Sequence, residues 1–106
     1  MRKLGSLHRV LQSDSGSHNG WELCATADVH YDTASSTVMV ELDSLVQRGD
    51  LPDGVDGFRQ PWLPAKEVVT RRVSLREARV VAKEVFRRWM KKVRCAVPSP
   101  AHHVGD

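Results

Sequence analysis

The sequence predicts an α+β fold, an antiparallel sheet of three to four strands with one long amphipathic C-terminal helix packed on it. Three observations lead there. Trp21–Asp32 alternates apolar and polar residues with a period of two, the pattern of a strand with one buried face. Thr37–Leu45 resumes the alternation after a short break. Leu75–Ala96 instead repeats apolar residues in steps of three and four, the period of a helix with one buried side. A chain of 106 residues makes one domain with a modest core, expected over residues 1–97, with 98–106 as a disordered tail.

Taken in order, Met1–Gln12 reads two ways. Leu4, Leu7 and Leu11 are spaced as on a helix, whereas Leu7, Arg9 and Leu11 alternate as on a strand, and Gly5 weakens the helical reading. Ser13–Gly20 is a loop by composition. Trp21, Leu23, Ala25, Ala27, Val29 and Tyr31 then share one face of a strand. If Thr33–Ser36 is the connection, opposed residues pair as Tyr31 with Val38, Val29 with Val40 and Ala27 with Leu42. Every pair on that face is apolar, so the register is self-consistent.

Gln47–Pro64 is rich in Gly and Pro, with Trp62 and Leu63 expected to tuck back over the core. Glu67–Val73 holds β-branched residues and suits a further strand. Ser74 with Glu77 reads as a capping box at the helix start, and Pro98 and Pro100 place its end near Ala96. The expected core is Trp21, Leu23, Val29, Tyr31, Val38, Val40, Val85 and Trp89.

Charge is divided unevenly along the chain. Residues 1–56 hold four Lys/Arg and nine Asp/Glu, a net −5, and residues 57–106 hold twelve and four, a net +8. Such segregation gives either an acidic and a basic side or two charged faces that meet inside the fold. Val73–Arg94 alone carries eight basic residues against two acidic ones. On a helical wheel Leu75, Ala78, Ala82, Val85, Phe86, Trp89, Val93 and Ala96 fall on one side. Arg76, Lys83, Arg87, Lys91 and Arg94 form a stripe on another, and these five are the candidate partner-binding residues. The stripe is either the solvated side of a core helix or a face for an anionic partner. No residue from Leu75 to Ala96 is Ser, Thr, Asn, Gln or His. Such a helix can hold phosphates but lacks the amide forks that read bases.

A second constellation lies on the polar face of the hairpin. The same register sets Asp28 opposite Glu41 and His30 opposite Met39, with Asp32 and Asp43 nearby. Directly opposed like charges destabilise a sheet. A cation bound with His30 as a ligand, the basic helix packed across that face, or solvent would compensate them.

Asp28–His30 (DVH) and Gly49–Asp53 (GDLPD) resemble the first two metal motifs, D-x-H and G-D-x-x-D, of the calcineurin-like metallophosphoesterases. That resemblance implies a two-metal centre for phosphate-ester hydrolysis. It stops at Asp53: no G-N-H-[DE] follows, no later histidine motif completes the second metal, and the chain is shorter than that family's two-sheet domain. The phosphate-binding motif G-x-x-x-x-G-K-[ST], the dinucleotide motif G-x-G-x-x-G, H-E-x-x-H and G-x-S-x-G are also missing. No catalytic residue, metal ligand or cofactor is therefore assigned.

Cys24 and Cys95 are far apart and form no C-x-x-C pair, which fits free thiols in a reducing, cytoplasmic compartment. No apolar run is long enough to span a bilayer, and no membrane partner is expected. These readings converge on a small non-enzymatic binding or regulatory protein. Its basic helix or its acidic hairpin face would engage an oppositely charged partner such as an acidic protein surface. A nucleic-acid backbone held by phosphate contacts is the alternative, and a metal-dependent phosphoesterase remnant comes third. Surfaces of −5 and +8 on one chain also allow self-association.

Overall fold

A computed structural model describes residues 1–14, 21–48 and 60–98. The strands are β1 (Arg2–Asp14), β2 (Trp21–Asp32), β3 (Thr37–Arg48) and β4 (Glu67–Arg72), followed by helix α1 (Leu75–Ala96). They form one antiparallel meander in the order β1-β2-β3-β4. α1 packs on β3 and β2 and touches β1 less. This is the α+β architecture that the alternation and the helical period predict.

The β2–β3 ladder runs without a bulge from Trp21 opposite Arg48 to Asp32 opposite Thr37. It contains the expected pairs Tyr31–Val38, Val29–Val40 and Ala27–Leu42. β3 continues beyond Leu45 to Arg48, because Ser44 and Val46 are still buried. The connection is closed by Asp32, whose carboxylate accepts the Ala34 N–H at 3.1 Å and the Ser35 hydroxyl at 2.8 Å. A carboxylate bound to the chain two and three residues on nucleates a turn. Ser36 completes it with a φ of 51°, in the left-handed region.

β1 resolves the ambiguity at the start of the chain. Register shifts between Lys3 and Gly5 and between Val10 and Gln12 make Leu4 and Leu11 extra residues in the ladder. Leu4, Leu7 and Leu11 all pack against the core, so inward residues on this strand are three and four apart. The bulges give a strand the spacing of a helix.

The core is the apolar face of the hairpin, odd residues of β2 and even residues of β3, beneath α1. Leu23, Ala25, Ala27, Val29, Tyr31, Val38, Val40, Leu42 and Val46 meet Ala78, Ala82, Val85, Phe86, Trp89 and Val93. Leu63 is buried with them and Trp62 packs alongside, as expected of that loop. Trp21 is half-buried at the edge of this cluster rather than within it. Buried aromatics keep their polar tips satisfied: Tyr31 Oη donates to Val73 O at 2.8 Å, and Trp89 Nε1 donates to Asp43 O at 2.8 Å.

Two helix expectations are corrected. Leu75 is 42% exposed although its wheel position is on the side of the buried residues. Ser74 occupies the N-cap position, but its hydroxyl bonds the Glu77 carboxylate at 3.1 Å instead of a backbone N–H. The reciprocal capping box is not formed. The loop expected over Ser13–Gly20 is shortened by β1, which includes Ser13 and Asp14, and 15–20 lie outside the described residues. Most of the tail expected at 98–106 also lies outside them.

Because odd residues of β2 face the helix, Val29→Asp places a charge in an apolar core and should cost more than about 4 kcal/mol. A domain of total stability about 5–15 kcal/mol then unfolds or nearly so. Asp28→Asn, one residue away on the exposed face, should cost less than about 1 kcal/mol. Thermal melting of the two variants checks the contrast.

Candidate partner-binding face

Helix geometry places the candidate residues before any side chain is considered. At 100° per residue the buried positions Ala78, Ala82, Val85, Phe86, Trp89 and Val93 span one side of α1. Arg76, Lys83, Arg87, Lys91 and Arg94 fall on the opposite side, and all five are exposed. From Arg76 to Arg94 the stripe is about 27 Å long.

None of these five side chains makes an ion pair among the described residues. Their neighbours on the flanks of α1 are engaged. Arg88 meets Glu84 at 3.2 Å, one turn away. Lys92 pairs with Glu67 and stands 5.8 Å from the centre of the Trp89 ring. Arg79 reaches the Leu4 carbonyl at 3.4 Å. The acids near α1 thus serve its flanks and leave the outer stripe unmatched.

Val80 sits within this stripe, 67% exposed, between the turns that carry Arg76, Lys83 and Arg87. A lone valine is apolar whether it faces the core or solvent, so composition does not mark it out. Its wheel angle, between those of Arg87 and Lys91, carried the signal.

On the opposite side of the molecule, the polar face of the sheet solves its own charge problem. Asp28 does lie opposite Glu41, and α1 is on the other face, so the helix does not compensate them. Ser6 Oγ donates to Asp28 Oδ1 at 2.6 Å, and Lys3 Nζ stands 3.4 Å from the same oxygen. The Ser6 hydroxyl foremost holds the Asp28 carboxyl below its ordinary pKa, desolvation opposes it, and the Lys3 charge adds to the lowering. His30 Nε2 lies 2.8 Å from Glu41 Oε1 and donates to it. Lys66 stands 3.7 Å from Asp43. Lys3 and Ser6 come from β1, so their role was hidden while that segment lacked an assignment.

Among the described residues no group of three or more His, Cys, Asp or Glu is placed to hold an ion, and the GDLPD segment lies outside them. Cys24 is buried and Cys95 exposed, without a bond between them. Burial, and then the Glu22 charge, push the Cys24 thiol pKa up, which keeps it protonated.

Open troughs flank α1. One of about 240 Å³ lies against β1, with Leu4, Leu7, Val29 and Ala82 beneath Arg79 and Lys83. Two more lie against β4 and share Arg71, Val85 and Arg88. Among the described residues no helix is long and apolar enough to cross a membrane. No family model matches the chain, and no curated protein or solved structure is significantly similar to it.

The depressed Asp28 pKa fixes the sign of one pH effect. A carboxylate more acidic in the folded state stabilises the fold above its unfolded pKa of about 4, and that contribution is lost as pH falls through the folded value. Asp28→Asn should therefore be less stable than the parent near neutrality, and the two should converge in acid. Melting temperatures measured from neutral pH down to about 3 test this.

Proposed function

We propose that the protein is a small non-enzymatic binding or regulatory protein that engages an acidic protein surface through the outer face of α1. One observation carries the reading: Arg76, Lys83, Arg87, Lys91 and Arg94 are exposed, share a side, and have no carboxylate partner among the described residues. The sheet's polar face is the weaker candidate, because Asp28 and Glu41 already have Lys3, Ser6 and His30.

Val80 favours protein over nucleic acid. An exposed apolar side chain ringed by cations suits a partner with an apolar spot inside an acidic patch, where burial adds to charge. Phosphate contacts gain nothing from it. The nucleic-acid alternative rests on the absence of Ser, Thr, Asn, Gln and His from α1, which suits sequence-independent backbone binding.

Reversing Lys83, Arg87, Lys91 and Arg94 to Glu together separates binding from folding. These side chains are exposed, so each reversal should cost no more than about 1 kcal/mol, and the melting transition should persist. Binding of a fluorescently labelled Glu/Asp-rich polypeptide, followed by anisotropy, should be lost. A labelled DNA duplex titrated in parallel at two salt concentrations gives the competing outcome. Tighter duplex binding, with a slope near −3.6 in log K against log salt for about four neutralised phosphates, overturns the acidic-protein reading. Binding of neither ligand at low salt overturns both.

A further inference from the structure

Among the described residues the meander leaves two edges, β1 and β4, and they differ in regularity. β1 carries two bulges, with Gly5 at a φ of 154°. Bulges of this kind oppose pairing with a further strand. β4 is short but regular, pairing with β3 without a register shift. Its Val68 is 59% exposed.

The direction of the β4 backbone follows from one bond beyond its end. Val73 N donates to Ser36 O at 3.0 Å, on the same register as the β3–β4 ladder. Hydrogen-bonded pairs alternate along an antiparallel ladder, so Glu67, Val69 and Arg71 also turn their backbone groups toward β3. Val68, Thr70 and Arg72 therefore turn theirs outward. The Thr70 carbonyl behaves accordingly, since it accepts the guanidinium of Arg71 at 2.9 Å.

The sequence of this edge is complementary to itself. An antiparallel copy centred on Val69 sets Val69 against Val69, Val68 against Thr70, and Glu67 against Arg71 on both sides of the two-fold axis. Each pair keeps like faces together, as a continuous sheet requires. Val68 and Thr70 become the hydrogen-bonded pairs, using the outward groups. Glu67 and Arg71 become non-hydrogen-bonded pairs, whose side chains approach more closely, so the Glu67 carboxylate would serve both Lys92 of its own helix and Arg71 of the second copy. Shifting the register by two residues sets Val68 against Arg72 and loses both opposite-charge pairs. On the helix side, Glu67 and Val69 are only half-buried and Arg71 is exposed, so α1 leaves this strand accessible.

We propose that two copies of the chain pair through their β4 strands, Glu67 to Arg71 across a two-fold axis at Val69, into one continuous eight-stranded sheet. The two basic helix faces then lie on the same side of that sheet. The interface is isologous, and so closes at two copies.

Sedimentation equilibrium of the full chain tests the pairing, with circular dichroism confirming that each variant is folded. The parent should sediment at twice 11.9 kDa at high concentration. Arg71→Glu sets acids against acids at both ends and should give the monomer mass, and the double variant Glu67→Arg/Arg71→Glu should restore the dimer. Thr70→Pro removes an outward N–H and no bond to β3, and should also give monomers. A parent that stays monomeric at every concentration overturns the proposal. So does a dimer that survives both Arg71→Glu and Thr70→Pro. Should the proline variant fail to fold, loss and recovery through the charge pair decide alone.

Discussion

Trp89 ties the helix to the sheet at a fixed rotation. Its ring is buried among β2 and β3 side chains, and its indole N–H donates to the Asp43 carbonyl. Satisfying both demands leaves α1 little freedom to turn about its axis, because a rotation of one residue swings the ring through 100° and breaks the bond. Ala78 and Ala82 sit on the same side, fully buried, and let the N-terminal half of the helix approach the sheet closely. With that side fixed inward, the directions of the other residues follow. Arg76, Lys83, Arg87, Lys91 and Arg94 point to solvent because Trp89 points to Asp43. The basic face is thus a geometric consequence of the core, and the core makes no use of its charge.

The two faces of the protein treat charge differently. On the open side of the sheet, acids and bases come from adjacent strands and meet at short range, as in Lys3 and Ser6 with Asp28, or His30 with Glu41. A sheet brings such residues together across its ladder. On α1, pairing relies on residues three or four apart, and Glu77 and Glu84 are the only acids in the helix. Glu84 meets Arg88 and Glu77 accepts the Ser74 hydroxyl, and among the described residues neither pairs with an outer cation. Among the described residues, charge is locally balanced on the sheet face and unbalanced on the outer helix face.

Much of this was legible from residue order. The β2–β3 register could be derived because both strands alternate without interruption and four residues join them, so one sum decided every pair. The helix span and its buried side were equally open to reading, since Pro98 and the 3.6-residue period are local signals. β1 was not, because its two bulges give Leu4, Leu7 and Leu11 the spacing of a helical stripe. The cost of that gap reached the polar face: without β1 in place, Asp28 had no visible partner, and a metal or the basic helix were the remaining compensations. The exposed Leu75 shows the same limit in smaller form. A wheel gives the direction of a residue, whereas exposure depends on what packs opposite it.

The order of elements along the chain has a consequence for synthesis. The apolar face of the β2–β3 hairpin is complete at Arg48, but its cover is complete only at Ala96. At about 5–20 residues per second, a ribosome needs several seconds to make the intervening segment. For that interval a nascent meander displays Val29, Val38, Val40 and Leu42 with nothing laid across them. Such a surface invites chaperones or neighbouring nascent chains. The helix is therefore made after the sheet that it covers, and a ribosome stalled before Trp89 would leave that face open and the chain fit for degradation or aggregation.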